Sequence, residues 1–330
     1  MSGDISFFIF MIKTLQAFRG VFAIFIFLHH FPYKGGSLFG AGGDAGVAFF
    51  LMASGFFMYM HHRRDAVDHY GKFMRRRATK LYPLHWVCLA FYFMLVPAAH
   101  IWQHIPTTIV NALLLQSYIP IEYVYFSCNS VSWFLCDILL CYAVFPVLVR
   151  LVSFPLRRLL PILASVLSLY VCVCLIVPAG MENTLIYVCP FMRWVDFLIG
   201  MLICRFWLCR RSESAVLWLQ ITAVAAGIVA VFVWPYITPR ISLVSLWWVP
   251  WSLLIWSFAV HDGIMARVLS ASVLQWLGKI SFQFYMIHYI VIQVVRPWIG
   301  TAEWSVALWA CVAFCVSLVS AYLLSRILGK

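Results

Sequence analysis

Residues 19–30 read RGVFAIFIFLHH, an apolar stretch with a cation at its start and two imidazoles at its end. At about 100° per residue, the eleven steps from Arg19 to His30 turn through about 1100°, within roughly 20° of three whole turns. The two side chains therefore share a face and stand about 16 Å apart along the axis, roughly half a hydrocarbon core. An Arg at that depth is costly unless it meets protein, water or an anion. The stretch is accordingly predicted to be a membrane helix that lines a site.

The rest of the chain agrees with that class. It is 65% hydrophobic, and its 330 residues hold only 23 Lys and Arg and 11 Asp and Glu. A soluble domain of that length carries far more charge. The fold class expected is all-α, a polytopic integral membrane protein with about ten transmembrane helices. The spans are placed at roughly 11–31, 44–61, 81–101, 131–152, 159–178, 185–204, 215–234, 242–260, 280–296 and 303–325. Residues 105–119 are too short to span and are expected at the interface or as a re-entrant segment. The whole chain, 1–330, is read as one membrane domain with no fused extracytoplasmic domain and no cleavable signal peptide.

Loop charge orients the spans. Of the 23 Lys and Arg, all but Lys34, Arg193, Arg240 and Arg296 fall on one side, which the positive-inside rule makes cytoplasmic. Both termini are expected there too. The net charge of +12 is thus explained by topology, and nucleic acid is excluded as a partner. The eleven Cys lie mostly within apolar segments and lack metal-ligand spacing, so neither a disulfide framework nor a metal site is expected.

The densest basic loop is HHRRDAVDHYGKFMRRRATKLYP, residues 61–83. Alone, it reads as a topology determinant resting on anionic lipid headgroups, or as a dock for phosphate oxygens. The glycine-rich stretch 35–46 makes an adaptable outer loop, and Ser54-Gly55 is a small pair suited to close helix contact. The outer loop 102–130 has no Lys or Arg and is aromatic, which fits an interfacial belt or a sugar-stacking surface.

Three acids stand in or beside spans: Asp44, Asp137 and Asp196. Arg193 and Asp196, three residues apart on a helix, are placed to pair. Asp137 lacks a local partner and is the better candidate to orient an imidazole or an Arg. Tyr285 and His288 share a face in LGKISFQFYMIHYIV, residues 277–291, and are supporting candidates. His is the side chain best suited to take a proton near neutral pH. An imidazole above an Arg and a basic loop suggests acyl transfer from a phosphorylated carrier, and equally a transporter using the same groups as a relay.

Six segments resemble the membrane-bound acyltransferase 3 family, in order along the chain. LQAFRGVFAIFIFLHHF (15–31) resembles its opening Arg-x10-His segment, which puts Arg19 and His30 on the functional positions and leaves His29 merely adjacent. GDAGVAFFLMASGFFM (43–58) resembles its Gly-Val-Asp-x-Phe-Phe-x-x-Ser-Gly-Phe segment, with Ala48 where Asp is usual. FMRRRATKLYPLHW (73–86) resembles Arg-x-x-Arg-Leu-Tyr-Pro, with Lys80 for the second Arg, and a Lys cannot fork onto phosphate as Arg does. SWFLCDILLCYAVFP (132–146), FMRWVDFLIGM (191–201, Asp196 for Glu) and LGKISFQFYMIH (277–288) complete the set.

The resemblance implies an O-acyltransferase that takes acetyl-CoA as acyl donor and substrate, without a metal, and an acceptor hydroxyl on a cell-surface glycan or lipid-linked sugar. It implies that Arg75, Arg76, Arg77 and Lys80 hold the coenzyme A phosphates, that Arg19 positions the donor, and that His30 is general base or acyl carrier. The alternatives are a transporter or flippase of a glycan or lipid intermediate, and acylation of a small-molecule acceptor.

Overall fold

The computed structural model describes the chain except for Met1 and residues 97–104, 210–216, 261–263 and 329–330. The side chains of residues 2–12, Asp65, Val260 and Ala266 are also outside the described part. The end of the span expected at 81–101, the start of that expected at 215–234, residues 102–104 of the aromatic loop and the carboxyl terminus therefore lie outside it.

The fold is 85% helical. The long helices are α1 (Ser2–His30), α2 (Gly42–Asp68), α3 (Tyr70–Leu95), α6 (Trp133–Val152), α7 (Leu156–Ile176), α8 (Pro190–Cys209), α9 (Leu217–Val233), α11 (Trp248–Val260), α13 (Ser272–Val295) and α14 (Glu303–Leu328). Short pieces connect them: α4 (Ile105–Ala112), α5 (Glu122–Tyr125), α10 (Pro239–Ser242) and α12 (Ile264–Leu269). The strand pair among the described residues is a two-residue hairpin, β1 (Pro32–Tyr33) with β2 (Gly36–Ser37).

Five helical stretches are long and apolar enough to cross a membrane: Gly42–Arg64, Ser130–Val152, Leu156–Ile176, Leu217–Tyr236 and Glu303–Leu328. They coincide with five of the expected spans. The others fall on helices that fail by composition or length: α3 carries the basic run, α8 carries Arg193 and Asp196, and α11 has 13 residues. The physical division is between lining and lipid. The apolar stretch of α7 is only 17% buried, as a lipid-facing helix is, whereas that of α2 is 83% buried. The segment 105–119 is short, as expected, and is pinned by side chains. Asn111 Nδ2 donates to the Ser127 carbonyl, and His85 Nε2–H donates to the Asn111 carbonyl, both at 2.9 Å.

The chain forms two compact units. One comprises Met1–Leu15, Ala48–Ala78 and Asp137–Val268; the other comprises Gln16–Val47, Thr79–Cys136 and Leu269–Lys330. In the first, α2 crosses α8 with the backbones in contact. A Cβ on Gly55 would strike the Phe197 carbonyl oxygen, and one on Gly200 would strike that of Met52. Ser54-Gly55 thus has the packing role its small size suggested. The same unit buries a charged group: Arg193 Nε lies 3.2 Å from Asp196 Oδ2, both side chains fully enclosed. Trp248 Nε1–H donates to Asp196, and the Arg193 guanidinium lies 5.5 Å from the centre of the Tyr187 ring.

In the second unit, α1 crosses α13 just as closely. Gly20 faces Leu277 and Gly278, and a Cβ on Gly278 would strike the Gln16 carbonyl oxygen. A side chain at Gly20 or Gly278 would not fit at this crossing.

Two outcomes follow for stability. Gly200→Ala and Gly278→Ala are each expected to cost about 1–3 kcal/mol or more by forcing helices apart, whereas Gly71→Ala, which meets open space, should leave the thermal midpoint of the purified protein unchanged or higher. Asp196→Ala strands a buried guanidinium and is expected to cost about 3–5 kcal/mol; the double variant Arg193→Met/Asp196→Leu should melt higher than either single variant in the same assay.

Candidate functional site

The glycine crossing of α1 and α13 builds the site. His30 stands ten residues beyond Gly20, and His288 ten beyond Gly278. Two helices in parallel register at the glycines therefore lift both imidazoles by the same roughly 15 Å. The rings meet with centroids 5.2 Å apart, and His288 Nε2 lies 3.2 Å from His30 Nδ1.

The backbone decides which nitrogen carries each proton. His288 Nδ1 faces the carbonyl oxygens of Tyr285 at 2.6 Å and Phe284 at 3.2 Å. Carbonyl oxygens only accept, so this nitrogen is the one that holds hydrogen, which leaves His288 Nε2 with its lone pair. His30 Nδ1 lies 2.9 Å from the Ile26 carbonyl oxygen and also faces that lone pair. Both neighbours are acceptors, so His30 Nδ1–H is shared between them. The remaining His30 nitrogen, Nε2, is then unprotonated in the neutral ring, the form a general base requires.

Surroundings separate the two imidazoles. His288 is fully buried, stacked on Phe284 at 5.9 Å and flanked by Phe27 at 6.3 Å. His30 keeps partial exposure and meets the Tyr289 ring edge-on at 5.4 Å. The arrangement observed is a fully buried imidazole beside a partly exposed one. His29 is occupied otherwise: its Nδ1–H donates to the Gly40 carbonyl at 2.6 Å, and its ring covers Gly43 so closely that a Cβ there would lie 2.7 Å from it. His29 anchors the glycine-rich loop to the end of α1.

Tyr285 braces the pair. Its hydroxyl donates to the Val131 carbonyl at 2.7 Å, while Asn129 Nδ2–H donates to the Met286 carbonyl at 2.8 Å. These two bonds dock residues 129–131 on α13 beside His288. Asp44 is buried in the first turn of α2, where a carboxylate complements the helix dipole. Arg19 is partly buried on α1, eleven residues before His30.

Of the remaining sequence candidates, Arg75, Arg76 and Arg77 fall in the first unit and Lys80 in the second. Arg75, Arg76, Arg77 and Lys80 all belong to α3. Arg75, Arg76 and Lys80 are exposed, and Arg76 and Lys80 stand one turn apart on one stripe. Arg77 is held: its Nη2–H donates to His62 Nε2 at 3.1 Å, and its guanidinium covers the Phe73 ring at 5.5 Å. Asp137 and Asp196 both lie in the unit built on α2 and α8. Asp137 is fully buried and neither oxygen accepts a hydrogen bond among the described residues. The tautomer of His30 is set by Ile26 and His288.

Sequence reasoning placed His30 and His288 separately but missed their contact, and missed Tyr289, Gly20 and Gly278. The available signal was the equal ten-residue interval from glycine to histidine in two distant segments.

Comparison with known proteins identifies the family. Residues 12–326 match the family model described as an acyltransferase domain, Acyl_transf_3. The chain is 29% identical over 298 residues to acyltransferase MdmB of Streptomyces mycarofaciens, covering 80% of this chain and 73% of that protein. No solved structure matches. With a family match spanning nearly its whole length and a paired imidazole on the helix that opens that match, the chain belongs to the acyltransferase 3 family of membrane acyltransferases.

Proposed function

We propose that the chain is a membrane O-acyltransferase that moves an acetyl group from acetyl-CoA to a hydroxyl of a glycan or lipid-linked sugar. The observation that carries this reading is the placement of His30 Nδ1 against the Ile26 carbonyl and His288 Nε2, two acceptors that leave His30 Nε2 unprotonated in the neutral ring. That nitrogen takes the acceptor's hydroxyl proton while the oxygen bonds to the thioester carbonyl carbon. The carbon–sulfur bond breaks, and the departing thiolate receives the proton from the His30 imidazolium. His288 holds the ring in its reactive orientation, and shares the Nδ1–H of His30 while positive charge develops.

Arg19 is proposed to position the thioester, and the α3 cations to hold the coenzyme A phosphates. Arg77, stiffened by His62 and Phe73, supplies a fixed fork; Lys80 supplies a mobile point charge. The basic loop supports an orientation with α3's cationic end and both termini in the cytoplasm of a bacterial inner membrane, within a single domain of about ten spans. The acyl group, taken here as acetyl, follows from the resemblance of the motifs.

Membranes carrying His30→Ala or His30→Gln at wild-type protein levels should lose acceptor acetylation by about a hundredfold or more; undiminished turnover in both would overturn the assignment. Purified protein should release coenzyme A from labelled acetyl-CoA, which a flippase would not do. Arg77→Gln and Lys80→Gln should raise KM for acetyl-CoA by about tenfold, the worth of one charge-assisted contact, and leave kcat nearly unchanged.

A further inference from the structure

Four Lys and Arg escape the strong basic bias of one side: Lys34, Arg193, Arg240 and Arg296. Two of them have structural occupations. Arg193 pairs with Asp196, and Arg240 donates to the carbonyls of Leu175 and Val177 at 3.0 and 2.7 Å. The other two, Lys34 and Arg296, come from opposite ends of the sequence and line one cavity of about 430 Å³, together with Tyr33, Gly35, Gly300 and Thr301.

The cavity sits at the end of both imidazole-bearing helices. Pro32, on its wall, follows His30 by two residues, and Arg296 follows His288 by eight, or about 12 Å of helix. A tight turn holds Lys34 in place, with positive φ at Lys34 (46°) and Gly35 (77°). The ammonium lies 5.0 Å from the centre of the Tyr33 ring and 3.0 Å from Glu303 Oε1. Both partners of that ion pair are largely exposed, at 65% and 76%, so water already competes for it and an arriving anion can replace the carboxylate at little cost. Arg296 is exposed and enters no ion pair among the described residues. Two cations beside an aromatic ring, with glycines on the wall, offer paired positive charge, a stacking face and space in one cavity.

We infer that this cavity binds an anionic oxygen group, a carboxylate or a phosphate, on the acceptor whose hydroxyl is presented to His30. Glu303 occupies Lys34 until that group arrives. The assignment of the ligand as acceptor rests on the acyl-transfer reading; the anion preference itself does not.

The test measures binding of glucuronate, glucose 1-phosphate and glucose to the purified full-length protein in nanodiscs at low ionic strength. At least one anionic sugar should bind about tenfold or more tightly than glucose, and which one does so identifies the group as carboxylate or phosphate. Lys34→Gln/Arg296→Gln should abolish the preference, Lys34→Arg should keep it, and Glu303→Gln should strengthen it. With the wild-type protein, added salt should erode it, a readout independent of any folding defect in the variants. Equal binding of all three sugars, no binding of any, or a preference that survives the double variant would overturn the inference. His30→Gln should leave the preference intact. Loss of the acyl-transfer reading would therefore show as unchanged turnover in that variant, and loss of this inference as transfer without anion preference.

Discussion

Everything at the imidazole pair depends on the absence of two side chains. Gly20 and Gly278 let α1 and α13 approach until backbone meets backbone, and a single methyl at Gly278 would strike the Gln16 carbonyl. Membrane helices gain little from apolar contact with one another, because lipid tails are as apolar as Leu. Close approach through small residues is what supplies packing energy and register. Here the register has a chemical result: ten residues beyond the glycines, His30 and His288 arrive at one height, close enough to share a proton.

The pair also illustrates how buried backbone carbonyls direct side-chain chemistry. Helix carbonyls accept hydrogen bonds and cannot donate, so an imidazole turned back onto its own helix must place its hydrogen there. His288 does this with Tyr285 and Phe284, and His30 with Ile26. The consequence passes from one ring to the next and ends at His30 Nε2. Asp137 and Asp196 lie in the interior of the unit built on α2 and α8. There the same device recurs, with Gly55 and Gly200 allowing a backbone contact next to the Arg193–Asp196 pair.

The distribution of polarity among the helices explains why composition identifies the class more readily than the count of spans. Helices that meet lipid, such as α7, α9 and α14, are uniformly apolar and legible as spans. Helices that line a site or a core must carry His, Gln, Arg and Asp, and these dilute the very signal by which a span is recognised. The short segments around Asn111 depart further from any periodic pattern, because their backbone groups are satisfied by side chains from elsewhere in the fold.

Sequence alone determined the membrane class, the all-helical architecture, the shared face of Arg19 and His30, the Arg193–Asp196 pairing and the family resemblance. Each follows from composition or from intervals of a few residues, where helix geometry is the only physics required. The tertiary structure decided which groups meet across long intervals. His30 and His288 are 258 residues apart, and no local rule pairs them. The same holds for Lys34 and Arg296, which become neighbours only because the helices that precede them are locked in register. His29 and His30 are indistinguishable by composition, and helical phase only favours one. It took the Gly40 carbonyl to occupy one ring and His288 to engage the other.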